Sequence, residues 1–298
     1  MKRKIKMHKL NKNKPKAIHL IKKLARNKSH KAQKAKSVGT QRGYRDCITI
    51  YLNWCISNAI SPNVQSNLST LKSYILDKSK VYRQKTLDQH RMALNAAFSK
   101  KLTFTKALVE TVLTSRDYLL SDVLLLVENI EPKNSLGILL CFYTGARAHE
   151  LATLQRIDEG ARTSSRIWSS QLFVLEEDFT RYLVTGKGGL CREIAIPNTL
   201  VKILESLRLP NPVEVCDREI LYQMNYDLGF GQAISQCFSR ASLKHFENST
   251  GLHGLRHSYV KNRVKKLCRN GYSLEDAKLI VSQEIGHFRH EIIDLYLR

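Results

Sequence analysis

Four separated pieces of the chain carry side chains that bind anions and move protons. In the first, Tyr143-Thr144-Gly145-Ala146-Arg147-Ala148-His149-Glu150-Leu151, an apolar run ends at a glycine and the next segment, read as a new helix, contains an arginine. In the second, Gly186-Lys187-Gly188-Gly189 is a turn signal between two short β-like runs, which puts an amine at a hairpin tip. The third, His253-Gly254-Leu255-Arg256, sets an imidazole and a guanidinium at i and i+3 on one helix face. The fourth is Ile285-Gly286-His287, followed nine residues on by Tyr296. Each has an ordinary explanation taken alone. Arg147 can pair with Glu150 on a surface, Lys187 can be a polar turn residue, and His253 and Arg256 can form a solvated face. Tyr296 can simply pack with Ile292, Ile293 and Leu295.

Taken in order, with their flanking residues, the pieces resemble the tyrosine recombinases, the lambda-integrase family. That family's signature is an arginine in Thr-Gly-x-Arg-x-x-Glu-Leu, a β-hairpin lysine, His-x-x-Arg, Gly-His and a tyrosine nine residues on. The resemblance covers nearly the whole chain beyond residue 40, with 29 residues between Arg256 and Gly286, somewhat more than the family's usual spacing. It implies a mainly α fold with a small antiparallel β-sheet: a helical core-binding domain plus a mixed α/β catalytic domain. The implied activity is site-specific DNA recombination or integration on double-stranded DNA. Four protomers would assemble on two paired sites, accessory DNA-bending proteins are further expected partners, and no cofactor or metal is implied.

The roles the resemblance implies suit the chemistry. Tyr296 attacks the phosphodiester and holds its energy in a 3′-phosphotyrosyl bond, since a phenol is both an attainable nucleophile and a good leaving group. Arg147 and Arg256 offer planar, permanently charged forks to the non-bridging oxygens. Lys187 is the expected general acid for the departing 5′-oxygen. His253 accepts the proton of Tyr296 or donates to phosphate, and His287 is a further donor. Glu150 either orients Arg147 or His253 or has a plain surface role. A type IB topoisomerase-like enzyme shares this chemistry without exchanging partners, and a catalytically silent DNA-binding protein shares the fold.

The elements that must position these groups are legible in the apolar spacing. Residues 39–101 read as a small helical domain, with Tyr44, Ile48, Tyr51, Leu52 and Cys55 on one face, then Leu68, Leu71, Tyr74 and Ile75, then Leu87, Met92, Leu94, Ala97 and Phe98. Pro62 marks a break, and Arg83, Lys85, Arg91, Lys100 and Lys101 are candidate DNA contacts on one side. Residues 102–120 read as a linker and 121–298 as the catalytic domain. There Ser121 opens a helix through Val123–Ile130, and Leu136–Tyr143 forms a buried one. Leu172–Leu175, Tyr182–Thr185 and Glu193–Ile196 read as short strands, and the chain reads as helix from Pro197 to its end.

Composition narrows the partners. The 298 residues are 43% hydrophobic, as in an ordinary globular protein, yet 49 Lys and Arg against 26 Asp and Glu leave a net charge of +23. Such an excess points to a polyanion. Residues 1–38 read as a disordered basic arm that contacts DNA; residues 1–40 hold 15 Lys or Arg and no acid. The longest apolar run, Ile138 to Tyr143, is far below the ~18 residues of a membrane span, and no secretory signal is visible. The expected location is the cytoplasm, on the nucleoid when bound to DNA. Seven dispersed cysteines without a C-x-x-C pair argue against a zinc site or disulfide framework, and most read as small buried hydrophobes.

Overall fold

The computed structural model describes residues 38–61, 64–110 and 115–298, together with positions 15, 16, 18 and 19. The arm read over 1–38 and the break at Pro62 therefore fall, apart from those positions and Val38, outside the described residues. The chain divides into two compact units, Met1–Val112 and Leu113–Arg298.

The first unit contains helices α1 (Val38–Ser57), α2 (Leu68–Ser79) and α3 (Gln84–Phe98). Their facing apolar residues, among them Ile48, Tyr51, Leu71, Tyr74, Leu87 and Leu94, close one core, in which Tyr51 meets Tyr74 edge-on at 5.0 Å. Met92, read from spacing as part of that set, is instead 52% exposed, because its position faces away from α1 and α2. His90 is buried, with Nδ1 2.8 Å from the Tyr74 hydroxyl. Burial first, then the Lys78 charge, holds its pKa down at about 4. Between pH 6.5 and 4 the unfolded chain therefore takes up a proton at this site that the folded one refuses, so stability falls as pH falls. The effect reaches about 3 kcal/mol by pH 4. Denaturant unfolding of His90→Gln is expected to show a shallower loss over that window than the wild type; an equal loss removes His90 as its cause.

The second unit opens with α4 (Leu120–Val127) and α5 (Pro132–Thr144). Strands β1 (Gln155–Arg156), β2 (Phe179–Thr185) and β3 (Cys191–Pro197) form an antiparallel sheet in that order, with Tyr182 opposite Ile194. Helix α6 (Asn198–Ser206), a hairpin of β4 (Arg208–Asp217) and β5 (Ile220–Tyr226), and helices α7 (Gly231–Phe246), α8 (His253–Arg269) and α9 (Leu274–Glu284) follow. The core runs from α5 through the inner face of the sheet to α7, through Leu140, Val184, Ile194, Ile196 and Phe238. The architecture is mainly helical with small antiparallel sheets.

Four local readings are corrected. The chain beyond Pro197 is not helical throughout: Pro210 and Pro212 cannot continue a helix, and the residues after them pair as β4–β5. Leu172–Leu175 is a turn and not a strand, with Phe173 and Leu175 at positive φ. It is held there because the Phe173 N–H donates to Glu284 at 3.0 Å while Leu172 and Phe173 pack on Ala195. Helix α4 starts at Leu120 and stops at Val127, whose carbonyl accepts a hydrogen bond from the Ser135 hydroxyl at 2.9 Å. Finally, Cys47, Cys55 and Cys141 are buried, but Cys191 and Cys237 are half-buried and Cys216 and Cys268 exposed; all seven are free thiols.

Candidate active site

Helix α5 ends where Gly145 turns left-handed at φ 62°, a position where a Cβ would also stand 2.6 Å from the Tyr259 ring. The chain after it is not the new helix read from sequence. It is an irregular turn carrying Arg147, then a 3₁₀ turn at Glu150–Thr153, because the Glu150 carboxylate takes the Arg147 backbone N–H at 2.8 Å and competes with helical pairing. The same carboxylate accepts from Arg147 Nη1 at 2.7 Å and, on its other oxygen, from Arg192 Nη2 at 2.8 Å. Arg147 Nη2 lies 3.1 Å from His287 Nε2.

Arg256, one turn into α8, is 1% exposed. Its guanidinium donates to the Gly145 carbonyl at the end of α5 and to the Ile285 carbonyl at the end of α9. His287 follows Gly286, whose φ of 74° reverses the chain, and Ser282 locks the reversal by donating to the His287 carbonyl at 2.6 Å. Tyr296 follows the 3₁₀ turn His290–Leu295 and is buried. Its ring lies 6.0 Å from that of His253 and 4.7 Å from that of His257.

Three guanidinium groups thus surround one carboxylate, leaving positive charge uncompensated in a buried place. Burial alone would raise the Glu150 pKa, but Arg192, Arg256 and Arg147 outweigh it and hold the carboxyl well below its usual range. Burial and then Arg147 lower Arg256 to about 10. His287 is held at about 4 by burial, then by Arg256, Arg147 and Arg192. The His253 ring keeps an exposed edge while much of it is packed among protein atoms; that desolvation, then Arg256, takes it to about 4. Both imidazoles are therefore neutral at pH 7, and the net charge of the cluster is set by its guanidinium groups.

The structure brings together Arg147, Glu150, Arg256 and His287, with His253 beside Tyr296. Glu150 orients Arg147 and Arg192; it makes no hydrogen bond to His253, and, being fully buried, it is no surface residue. Lys187 is exposed at the β2–β3 tip and touches none of the others. Gly186 at the root of that hairpin lets it approach Glu150, since a Cβ there would sit 2.8 Å from the carboxylate. Sequence reasoning missed Arg192 and His257. The signal for Arg192 was a charged residue at the head of an apolar strand run, which needs a buried partner; that for His257 was its i+4 relation to His253.

In the helical unit, Arg83, Lys85, Lys100 and Lys101 are exposed, whereas Arg91 is half-buried and paired with Asp88 at 3.0 Å. Lys85 lies in the first turn of α3, and Lys100 follows its left-handed cap at Ser99. Among the described residues no cluster of His, Cys, Asp or Glu has the arrangement of a metal site, and no helix is long and apolar enough to cross a membrane.

No protein-family model and no curated sequence matches the chain. Solved structures do. A lambda integrase (residues 75–356) dimer bound to a COC′ core site superposes with a TM-score of 0.55 over 93% of each chain at 14% identity. XerH site-specific recombinase in a post-cleavage complex with palindromic difH matches with a TM-score of 0.54 at 18% identity, over 87% of this chain and 76% of that one. Its pre-cleavage complex on difH gives 0.52 at 16% identity, over 95% and 92%. The fold is that of the tyrosine recombinases.

Proposed function

We propose that this chain is a site-specific DNA recombinase that cuts and rejoins duplex DNA through a 3′-phosphotyrosyl bond to Tyr296. The observation that carries the reading is the convergence of Arg147, Arg256 and His287 from three separate segments, with His253 and Tyr296 adjacent. A strand phosphate entering this cluster meets the half-buried Arg147 guanidinium and the charge of the buried Arg256 behind it, and the excess positive charge favours the pentacovalent transition state over the ground state. Preorganised donors of this kind contribute about 3 kcal/mol each. Tyr296 Oη bonds to phosphorus as the P–O5′ bond breaks, and neutral His253 takes the phenolic proton. Attack by the 5′-hydroxyl of another strand reverses the step and restores the phosphodiester.

Duplex DNA is the proposed partner, by analogy with the DNA-bound XerH and lambda integrase complexes and in keeping with a net charge of +23. Residues 39–101, within the Met1–Val112 unit, take the core-binding role, residues 121–298, within Leu113–Arg298, the catalytic one, and four protomers act on two paired sites. A complex with duplex DNA that survives denaturation tests cleavage, and its absence leaves a silent binding protein. Exchange of strands between two duplexes, as opposed to relaxation of one, separates recombinase from topoisomerase.

Lys187, exposed on its hairpin, is assigned to protonate the departing 5′-oxygen. Lys187→Ala is expected to slow cleavage by about 10²–10⁴-fold, the range of a lost general acid. A substrate with sulfur at the 5′-bridging position needs no such proton and is expected to recover most of that rate. Arg147→Lys, which loses contacts to the non-bridging oxygens, is expected to gain nothing from sulfur. Equal rescue of both variants, or of neither, takes the acid role away from Lys187.

A further inference from the structure

The connection from Gly160 to Asp178, between the turn after β1 and the start of β2, is long for a compact unit and has no regular secondary structure of its own, which marks it as a segment with a task. Its first half, residues 160–170, holds Arg162, Arg166, four serines and one threonine and no acidic residue. It is not loosely attached. Thr163 exchanges two hydrogen bonds with Cys191, at 2.9 and 3.0 Å, at the base of the Lys187 hairpin. Ser169 N–H donates to Gln283 of α9 at 2.8 Å, and Trp168 Nε1 closes the loop on the Thr163 carbonyl at 2.9 Å.

Cations and rings alternate across this surface. Arg162 lies over Trp168 at 5.6 Å, Trp168 meets Phe288 edge-on at 5.0 Å, and Arg166 lies over Phe288 at 5.0 Å. Phe288 directly follows His287. Arg162 is offset by Glu193 at 3.5 Å, but Arg166 has no carboxylate partner among the described residues. Its guanidinium is held on a ring beside the Arg147–Arg256–His287 cluster with its charge facing outward. Next to it Ile167 is 93% exposed, far more than a large apolar side chain needs to be.

We infer that the 160–170 loop is a DNA contact, with Arg166 on a backbone phosphate next to the cleaved bond and Ile167 against the sugar–base edge beside it. The inference rests on the recombinase reading, since it places the DNA strand in the Arg147–Arg256–His287 cluster. A duplex is the occupant favoured by the charge, by the hydroxyl-rich flanks that suit phosphate oxygens, and by the tethers to both sides of that cluster. A strand leaving it passes over Phe288 and Arg166. Stacking on Phe288 lowers the entropy lost when the guanidinium binds phosphate.

The test uses the full chain and a 30-base-pair duplex, with affinity measured across a salt series. Arg166→Ala is expected to weaken binding several-fold and to flatten the log–log salt slope by about 0.9, the contribution of one phosphate contact. Arg269→Ala is the control: this exposed arginine at the far end of α8 lies about 24 Å along the helix from His253, and its removal is expected to leave the slope unchanged. The emission of Trp168, isolated by Trp54→Phe, is expected to change on titration with the duplex. An unaltered slope in Arg166→Ala, an equal drop in Arg269→Ala, or silent Trp168 emission overturns the assignment. Failure to form a covalent adduct in the same protein would count against the recombinase reading alone, so the two are separable.

Discussion

Tyr296→Phe is expected to bind duplex DNA with wild-type affinity and to form no covalent complex with it. The variant loses one hydroxyl from a ring that is otherwise held by packing: Tyr296 lies in an apolar cluster with Tyr259, Val260, Ile285 and Ile293. Phenylalanine fills the same space, so folding and the ring contacts to His253 and His257 persist. The loss of adduct is complete, because no other group in the cluster conserves the phosphodiester energy. Denaturing electrophoresis of protein on end-labelled duplex reads this directly. A phosphotyrosyl link in Tyr296→Phe would remove Tyr296 from the mechanism.

The second large effect is expected at Glu150. It is fully buried between Arg147 and Arg192, and Arg192 is 1% exposed. Glu150→Ala leaves the Arg192 guanidinium buried without its counter-charge, which costs about 3–5 kcal/mol. Arg147 loses the partner that fixes both its backbone and its fork, so cleavage is expected to fall by at least the 10- to 100-fold seen when orienting partners are lost. The double variant Glu150→Ala/Arg192→Met separates the two consequences. Removing both charges is expected to recover most of the denaturation midpoint and none of the cleavage rate. Recovery of cleavage in the double variant would show that Arg147 is aimed by something other than Glu150.

Much of this site was legible because short-range patterns fix it. Arg256 is forced onto a helix with His253 by i, i+3 spacing, and Gly145 and Gly286 end their helices where positive φ requires a residue without Cβ. The β2–β3 hairpin follows from its glycine-rich turn. What escaped depends on contacts between distant segments. Leu172–Leu175 has a strand's composition, but Glu284, 111 residues away from Phe173, captures its backbone in a turn. The β4–β5 pair follows a helical run, and its pairing is set by partner strands that periodicity cannot see. Arg192 went unnoticed for a similar reason: its partner Glu150 lies 42 positions earlier, and only the fold joins them.

Arg256 ties the Gly145 carbonyl at the end of α5 to the Ile285 carbonyl at the end of α9, so it closes two helix ends, and the proposed reaction gives it a second task at the phosphate. On the proposed function a single side chain would answer to two selective pressures, one for a folded domain and one for catalysis. A descendant that abandoned catalysis but kept binding DNA would lose stability by replacing Arg256, and almost none by replacing the hydroxyl of Tyr296. Decay of activity on this scaffold should begin at the tyrosine and reach the arginine last. When kindred chains are sorted into active and silent forms, the terminal phenol is the informative position, and an intact arginine says little more than that the domain folds.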